Sequence, residues 1–143
     1  MMRMTEIIKT AAEYAGLAFY TGFAMQMADK RLEFPLLWLE PIIIKDRQGL
    51  NEGTITYGVK FHLLIADRNM PQEKKVIIRN GLEKTAMELY GSVIKNPYIS
   101  DINKLSCSHN TSSLTNYGEI GLTVAFDADK LFCNEELSFC ETE

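Results

Sequence analysis

The sequence predicts an α+β fold: an antiparallel sheet of about four strands with two helices packed on one face, in the order α-β-β-α-β-β. Three observations lead there. Residues 54–66 alternate, with Ile55, Tyr57, Val59, Phe61, Leu63 and Ile65 on one side and Thr56, Gly58, Lys60, His62, Leu64 and Ala66 on the other. That period of two marks a strand with one face buried and the other mostly wet. From Gln72 the period becomes three and four residues, through Ile78, Leu82, Ala86 or Met87, Leu89, Val93 and Ile94, as an amphipathic helix requires. Short connections between successive strands then favour antiparallel pairing in one sheet with helices on one side.

Each element has its own warrant. Residues 5–28 predict the first helix, with Ile7, Ile8, Ala11, Ala12, Ala15, Leu17, Phe19 and Phe23 as its apolar positions and Thr5 as its N-cap. Gly16 and Gly22 weaken it, each by about 1 kcal/mol relative to alanine. Its small residues Ala11, Ala15, Ala18 and Gly22 allow close approach, either of the sheet or of a second subunit. Residues 34–46 predict a strand apolar on both faces, which Pro35 and Pro41 confine to a sheet edge or a bulge because neither can donate a hydrogen bond. Trp38, the one tryptophan, suits the domain's own core or an interface. Glu40, between apolar neighbours, suits a charge that guards an edge or a contact residue. Residues 47–53 are a polar hairpin loop.

Asp67, Arg68, Asn69, Met70 and Pro71 break the long strand with turn formers. Asp67 and Arg68 sit at a strand end, where a polar pair either satisfies the turn or meets a partner. Asn96 before Pro97 closes the second helix. A weak strand over 104–110 and a Ser/Thr/Asn cluster over 110–116 follow. The last strand, 117–127, sets Ile120, Leu122, Val124 and Phe126 on one face, with Gly121 marking a bulge or a close approach. Residues 1–129 thus form a single α+β domain. Residues 130–143 read as an acidic C-terminal tail or arm, in which Leu131, Phe132, Leu137 and Phe139 are spaced among Glu135, Glu136, Glu141 and Glu143. Such a tail is either frayed or ordered only against a partner.

The 143 residues make one domain's worth of chain. A net charge of −4 disfavours nonspecific nucleic-acid binding, which needs clustered Lys and Arg. The apolar runs are too short to span a bilayer, and charges interrupt the N-terminal segment where a secretory leader would be apolar. Synthesis in a reducing cytoplasm is the expectation. Cys107, Cys133 and Cys140, odd in number and without CxxC spacing, are expected as unpaired thiols. His62 and His109 belong to no metal-binding spacing, and no GxSxG, phosphate-loop or dinucleotide pattern occurs. No catalytic residue, cofactor or metal is expected.

Four segments carry a family resemblance: FPLLWLEPIIIKD (34–46), TYGVKFHLLIADRN (56–69), EKKVIIRNGLEKTAMELYGSVI (73–94) and YGEIGLTVAFDAD (117–129). Through them the chain, over about residues 5–129, resembles the small tail-terminator or tail-completion (head–tail joining) proteins of tailed bacteriophages, as found in phages and prophages of Bacteroidetes. The resemblance implies an α/β domain of the same element order that assembles as a ring, commonly a hexamer, and closes the tail tube beneath the head connector. It further implies a virion structural protein, built in the host cytoplasm, whose partners are its own copies and the tail-tube and head-connector proteins. No direct sequence-specific nucleic-acid contact, membrane or cofactor is implied. The acidic, cysteine-bearing tail lies outside the family pattern. Candidate contact residues are Trp38, Glu40, Asp67, Arg68, Phe132 and Phe139. The alternative is a cytoplasmic α+β ligand-binding domain or small enzyme, which would need converging polar groups with shifted pKa values.

Overall fold

Two strands of 15 residues each, β4 (Glu52–Ala66) and β6 (Glu119–Cys133), form the spine of the sheet. They pair antiparallel along their whole length, from Glu52 opposite Cys133 to Ala66 opposite Glu119. The remaining elements of this computed structural model, which describes residues 3–29, 31–66, 71–110, 115 and 119–133, hang on that ladder. They are α1 (Met4–Tyr14), β1 (Ala18–Thr21), a 3-10 turn (Ala24–Asp29), β2 (Leu36–Leu39), β3 (Ile43–Gln48), α2 (Gln72–Ile94) and β5 (Ile99–His109).

The α+β class stands, but the sheet is larger than expected and mixed. Among the described residues it has six strands in the order β1-β2-β4-β6-β5, with β3 pairing β4 off that path. The expected strand over 34–46 is two strands, because Pro41 interrupts it. β2 pairs antiparallel with residues 61–64 of β4, and β3 with residues 54–58. The expected helix over 5–28 ends at Tyr14. Gly16 takes a positive φ of 79°, the Ala15 and Leu17 amides donate back to Ala11 and Ala12, and the chain leaves as β1. β1 runs parallel to β2 and makes the sheet mixed. Arg3, not Thr5, is the N-cap, and it makes no side-chain capping bond.

The core lies on one face. Met4, Ile7, Ile8, Ala11 and Ala12 of α1 and Leu82, Ala86, Leu89 and Val93 of α2 join Tyr57, Val59, Phe61, Leu63, Leu122, Val124 and Phe126 in one buried cluster. The Phe61 and Phe126 rings meet edge to face at 6.1 Å and 79°, a favoured geometry for aromatic pairs. Ile78 is half-buried against this core, and Leu82 is the first fully buried residue of α2. Residues 72–81 have no fully buried side chain, and Ile77 is 70% exposed. Met87 and Ile94, read as core from their spacing, are exposed, and Ala86 is the buried alternative. Among the described residues, no helix is long and apolar enough to cross a membrane.

A second, smaller cluster sits on the other face, where Met27, Leu32, Leu36, Trp38 and Leu64 are buried together. Trp38 is its centre. Its indole Nε1 donates to the Gly22 carbonyl at 2.8 Å, and Tyr20 stacks on it at 6.1 Å. Gly22 has φ 145°, and a Cβ there would meet the indole at 3.0 Å and the Gln26 side chain closer still.

The boundary of the tail also moves. β6 continues through Cys133, Lys130 and Phe132 are buried, and Phe132 belongs to the main core with the Arg47 guanidinium 4.7 Å from its ring centre. Residues 130–133 are therefore sheet, because Glu52 to Thr54 offer them a continuing ladder partner.

Candidate functional site

Outside the small Trp38 cluster, the non-helical face of the sheet is lined by polar side chains. Cross-strand neighbours on β4 and β6 set Thr56 beside Asp129, Gly58 beside Asp127, Lys60 beside Ala125 and His62 beside Thr123. Thr56 donates to Asp129 at 2.6 Å. Lys45, at the register shift in β3, crosses to Asp127 at 2.8 Å. Gly58 leaves the lane open, since a Cβ there would sit 2.8 Å from the Lys45 Cε. Lys104, whose own φ of 56° lies in the β5 register shift, approaches the same carboxylate at 3.7 Å.

At the other end of this face, His62 is only 4% exposed. Its Nε2 lies 2.6 Å from a Glu40 carboxylate oxygen, and its Nδ1 lies 2.9 Å from the Thr123 hydroxyl. Thr123 in turn lies 2.6 Å from the side-chain amide of Asn110. Glu40 is held where β2 ends, its backbone N–H donating to the Lys60 carbonyl, and its carboxylate stands 3.6 Å from the Lys60 ammonium. The Asn110 backbone N–H donates to the Gly121 carbonyl. Gly121 is a close approach and not a bulge: a Cβ would collide with the Asn110 amide and with Leu64, while the β4–β6 register runs through it unbroken. One polar chain thus links the ends of β2 and β5 across β4 and β6. Loss of hydration on burial pushes the His62 pKa below its ordinary value, and Lys60 adds to this, while the hydrogen bond and charge of Glu40 oppose it.

Glu40 is the one expected contact residue that enters this cluster. Trp38 and Phe132 are core residues, and Asp67, Arg68 and Phe139 lie outside the described residues. The alternation puts His62 on the correct face, but its side chain is buried there and not wet. Asn110 carried no sequence signal beyond its polar segment. The pairing of Thr123 with His62 was available only from the strand register.

Elsewhere, His109 meets Glu83 at 2.7 Å at the sheet edge. Cys107 and Cys133 are free, and burial, helped by Glu83, pushes the Cys107 thiol up, away from the thiolate a reactive cysteine needs. Adjoining recesses of about 360 and 330 Å³ run between α1 and α2, lined among others by Ala11, Tyr14, Ser92 and Lys95. Among the described residues, no group of three or more His, Cys, Asp or Glu gathers as a metal site. The outer edge of β3 is exposed over all six residues, with Ile43 and Ile44 61% and 55% exposed. No protein-family model matches the chain, and no curated protein matches its sequence.

Proposed function

We infer that the protein is a virion structural protein of a tailed phage, which self-associates head to tail into a ring at the end of the tail or at the head–tail junction. The observation that carries this reading is the open edge at β3, where two large apolar side chains stand in solvent on a strand that pairs only with β4 among the described residues. Exposed apolar edges are aggregation hazards unless they are covered. The opposite end of the sheet is β5, a different strand with its own outer edge. Two unlike edges suit a heterologous contact, the kind that closes into rings. Ile43 and Ile44 take the role first given to Trp38 and Phe132, which the subunit uses internally. The ring is commonly six-fold in the family resembled, and its partners are the tail-tube and head-connector proteins.

Native mass spectrometry and light scattering, with and without tail-tube protein, test the reading. An Ile43→Lys, Ile44→Lys double variant should lose the ring and keep the fold. A wild-type chain that stays monomeric at high concentration and binds neither tail-tube nor connector protein would defeat it. The second reading, a small-ligand domain, rests on the recess between α1 and α2, whose volume lies in the range of ligand pockets. Saturable binding there that Ala11→Trp abolishes, in a monomeric protein, would favour it.

A further inference from the structure

The chain Asn110–Thr123–His62–Glu40 contains a contradiction that its geometry resolves. Thr123 has one proton to give. If it goes to Asn110 Oδ1, Nδ1 of His62 must be the donor to Thr123, while Nε2 must also donate to the Glu40 carboxylate. That arrangement needs a doubly protonated imidazole, and it leaves the buried Asn110 Nδ2 with no acceptor among the described residues. Turning the Asn110 amide by half a turn removes both difficulties. The amide's two ends have nearly the same shape, and bonding decides which faces the hydroxyl. Nδ2 then donates to Thr123, Thr123 donates to Nδ1, and the single imidazole proton on Nε2 goes to Glu40. Oδ1 comes to rest against Gly121, where the Cβ of any other residue would stand and where glycine presents a C–H, a weak but recurrent donor to oxygen.

We propose that these four side chains form a proton-reversible relay: at neutral pH every hydrogen bond points from Asn110 toward Glu40, and one proton taken up at His62 Nδ1 reverses the Thr123 and Asn110 steps. The new Nδ1–H must be accepted by Thr123, whose hydroxyl must then turn to Asn110. Asn110 must present Oδ1, and its Nδ2 is again without an acceptor among the described residues. The uptake is a simple protonation from solvent, and its consequence travels to the C-terminal end of β5. Among the described residues the charged groups facing His62 are Glu40 at the end of β2 and Lys60 on β4; β6 contributes the neutral Thr123, and the helices lie on the opposite face. Burial and Lys60 resist the added proton and Glu40 favours it, which places the reversal on the acid side of neutrality.

Nitrogen-15 NMR of the uniformly labelled full chain reads the imidazole tautomers and the asparagine side-chain amides together, with His109 as the second imidazole signal. At pH above neutrality His62 Nδ1 should be unprotonated and Nε2 protonated. On acidification the proton should arrive at Nδ1, and the Asn110 side-chain amide signals should move with the same midpoint. Asn110→Asp places an acceptor-only group at the end of the relay and should raise the proton affinity of His62 by roughly tenfold. A wild-type Nδ1 already protonated at neutral pH overturns the proposal, as do Asn110 amide signals indifferent to the His62 titration. These readouts need no variant. An Asn110→Asp protein that folds but titrates His62 unchanged also overturns it.

Discussion

On its helical side the sheet is closed by apolar side chains from α1 and α2. On the other side the same strands carry a lysine–aspartate bridge, a threonine–aspartate bond and a buried histidine. Alternation along β4 and β6 sends Phe61 and Val124 one way and His62 and Thr123 the other. The apolar side gains stability in proportion to area removed from water, without direction. The polar side gains little net free energy per bond but fixes donors and acceptors, so it responds to protons and salt. Substitutions on the two sides should therefore differ in size and in what modulates them.

The largest effect belongs to the helical side. Leu89 is 2% exposed in the main core, and Leu89→Ala should cost about 2–5 kcal/mol. Urea denaturation should show a lower midpoint at an unchanged slope. Ile77 lies on the same helix but is 70% exposed, and Ile77→Ala should change stability by less than about 0.5 kcal/mol. Equal costs would mean that Ile77 is packed against something, and a second copy in the proposed ring is the first candidate.

An intermediate effect is expected from His62, and its sign follows from the lowered pKa. The folded protein binds the proton less readily than the unfolded chain, so the contribution of His62 is complete above its ordinary value of 6.5. It is lost as pH falls from there through the lower folded value. His62→Gln should be less stable at neutral pH and show a flatter decline over that acid window. A wild-type stability that rises on acidification below pH 6.5 would reverse the assignment of His62 as the neutral form.

The same division explains what was legible in the sequence. The faces of β4 and the core positions Leu82, Leu89 and Val93 follow from periodicity, because burial on one side imposes a repeat. β1 was missed because Ala, Phe and Tyr at 18–20 also fit a helix, and only the positive φ at Gly16 separates the two. The tail boundary failed because Lys130 interrupts the apolar alternation of β6 while being buried itself. The relay was not legible at all: Glu40, His62, Asn110 and Thr123 come together through strand register, which single-sequence periodicity does not encode. Glu40 was singled out for its apolar setting, and its true partner lay 22 residues away.

The smallest effect expected on the polar side tests the lysine bridge and its glycine lane. Lys45 bonds Asp127 at 2.8 Å, but the lysine side chain is 47% exposed and the aspartate 8%. The ammonium loses little hydration in the bridge, and Lys104 remains 3.7 Å from the same carboxylate if Lys45 is removed. Lys45→Ala should therefore cost less than about 1 kcal/mol, with a smaller difference at high salt. Gly58 adds a sharper readout. A Cβ at 58 would lie 2.8 Å from Lys45 Cε, so Gly58→Ala in the wild-type chain must displace the bridge while gaining the roughly 0.5–1 kcal/mol that alanine is worth over glycine within a strand. In the Lys45→Ala background the conflict is gone and only the gain remains. The two substitutions should be non-additive, with Gly58→Ala more favourable when Lys45 is absent. Strict additivity in a double-mutant cycle would mean that the Lys45 side chain does not lie over Gly58, and that the polar face is held by something other than this crossing.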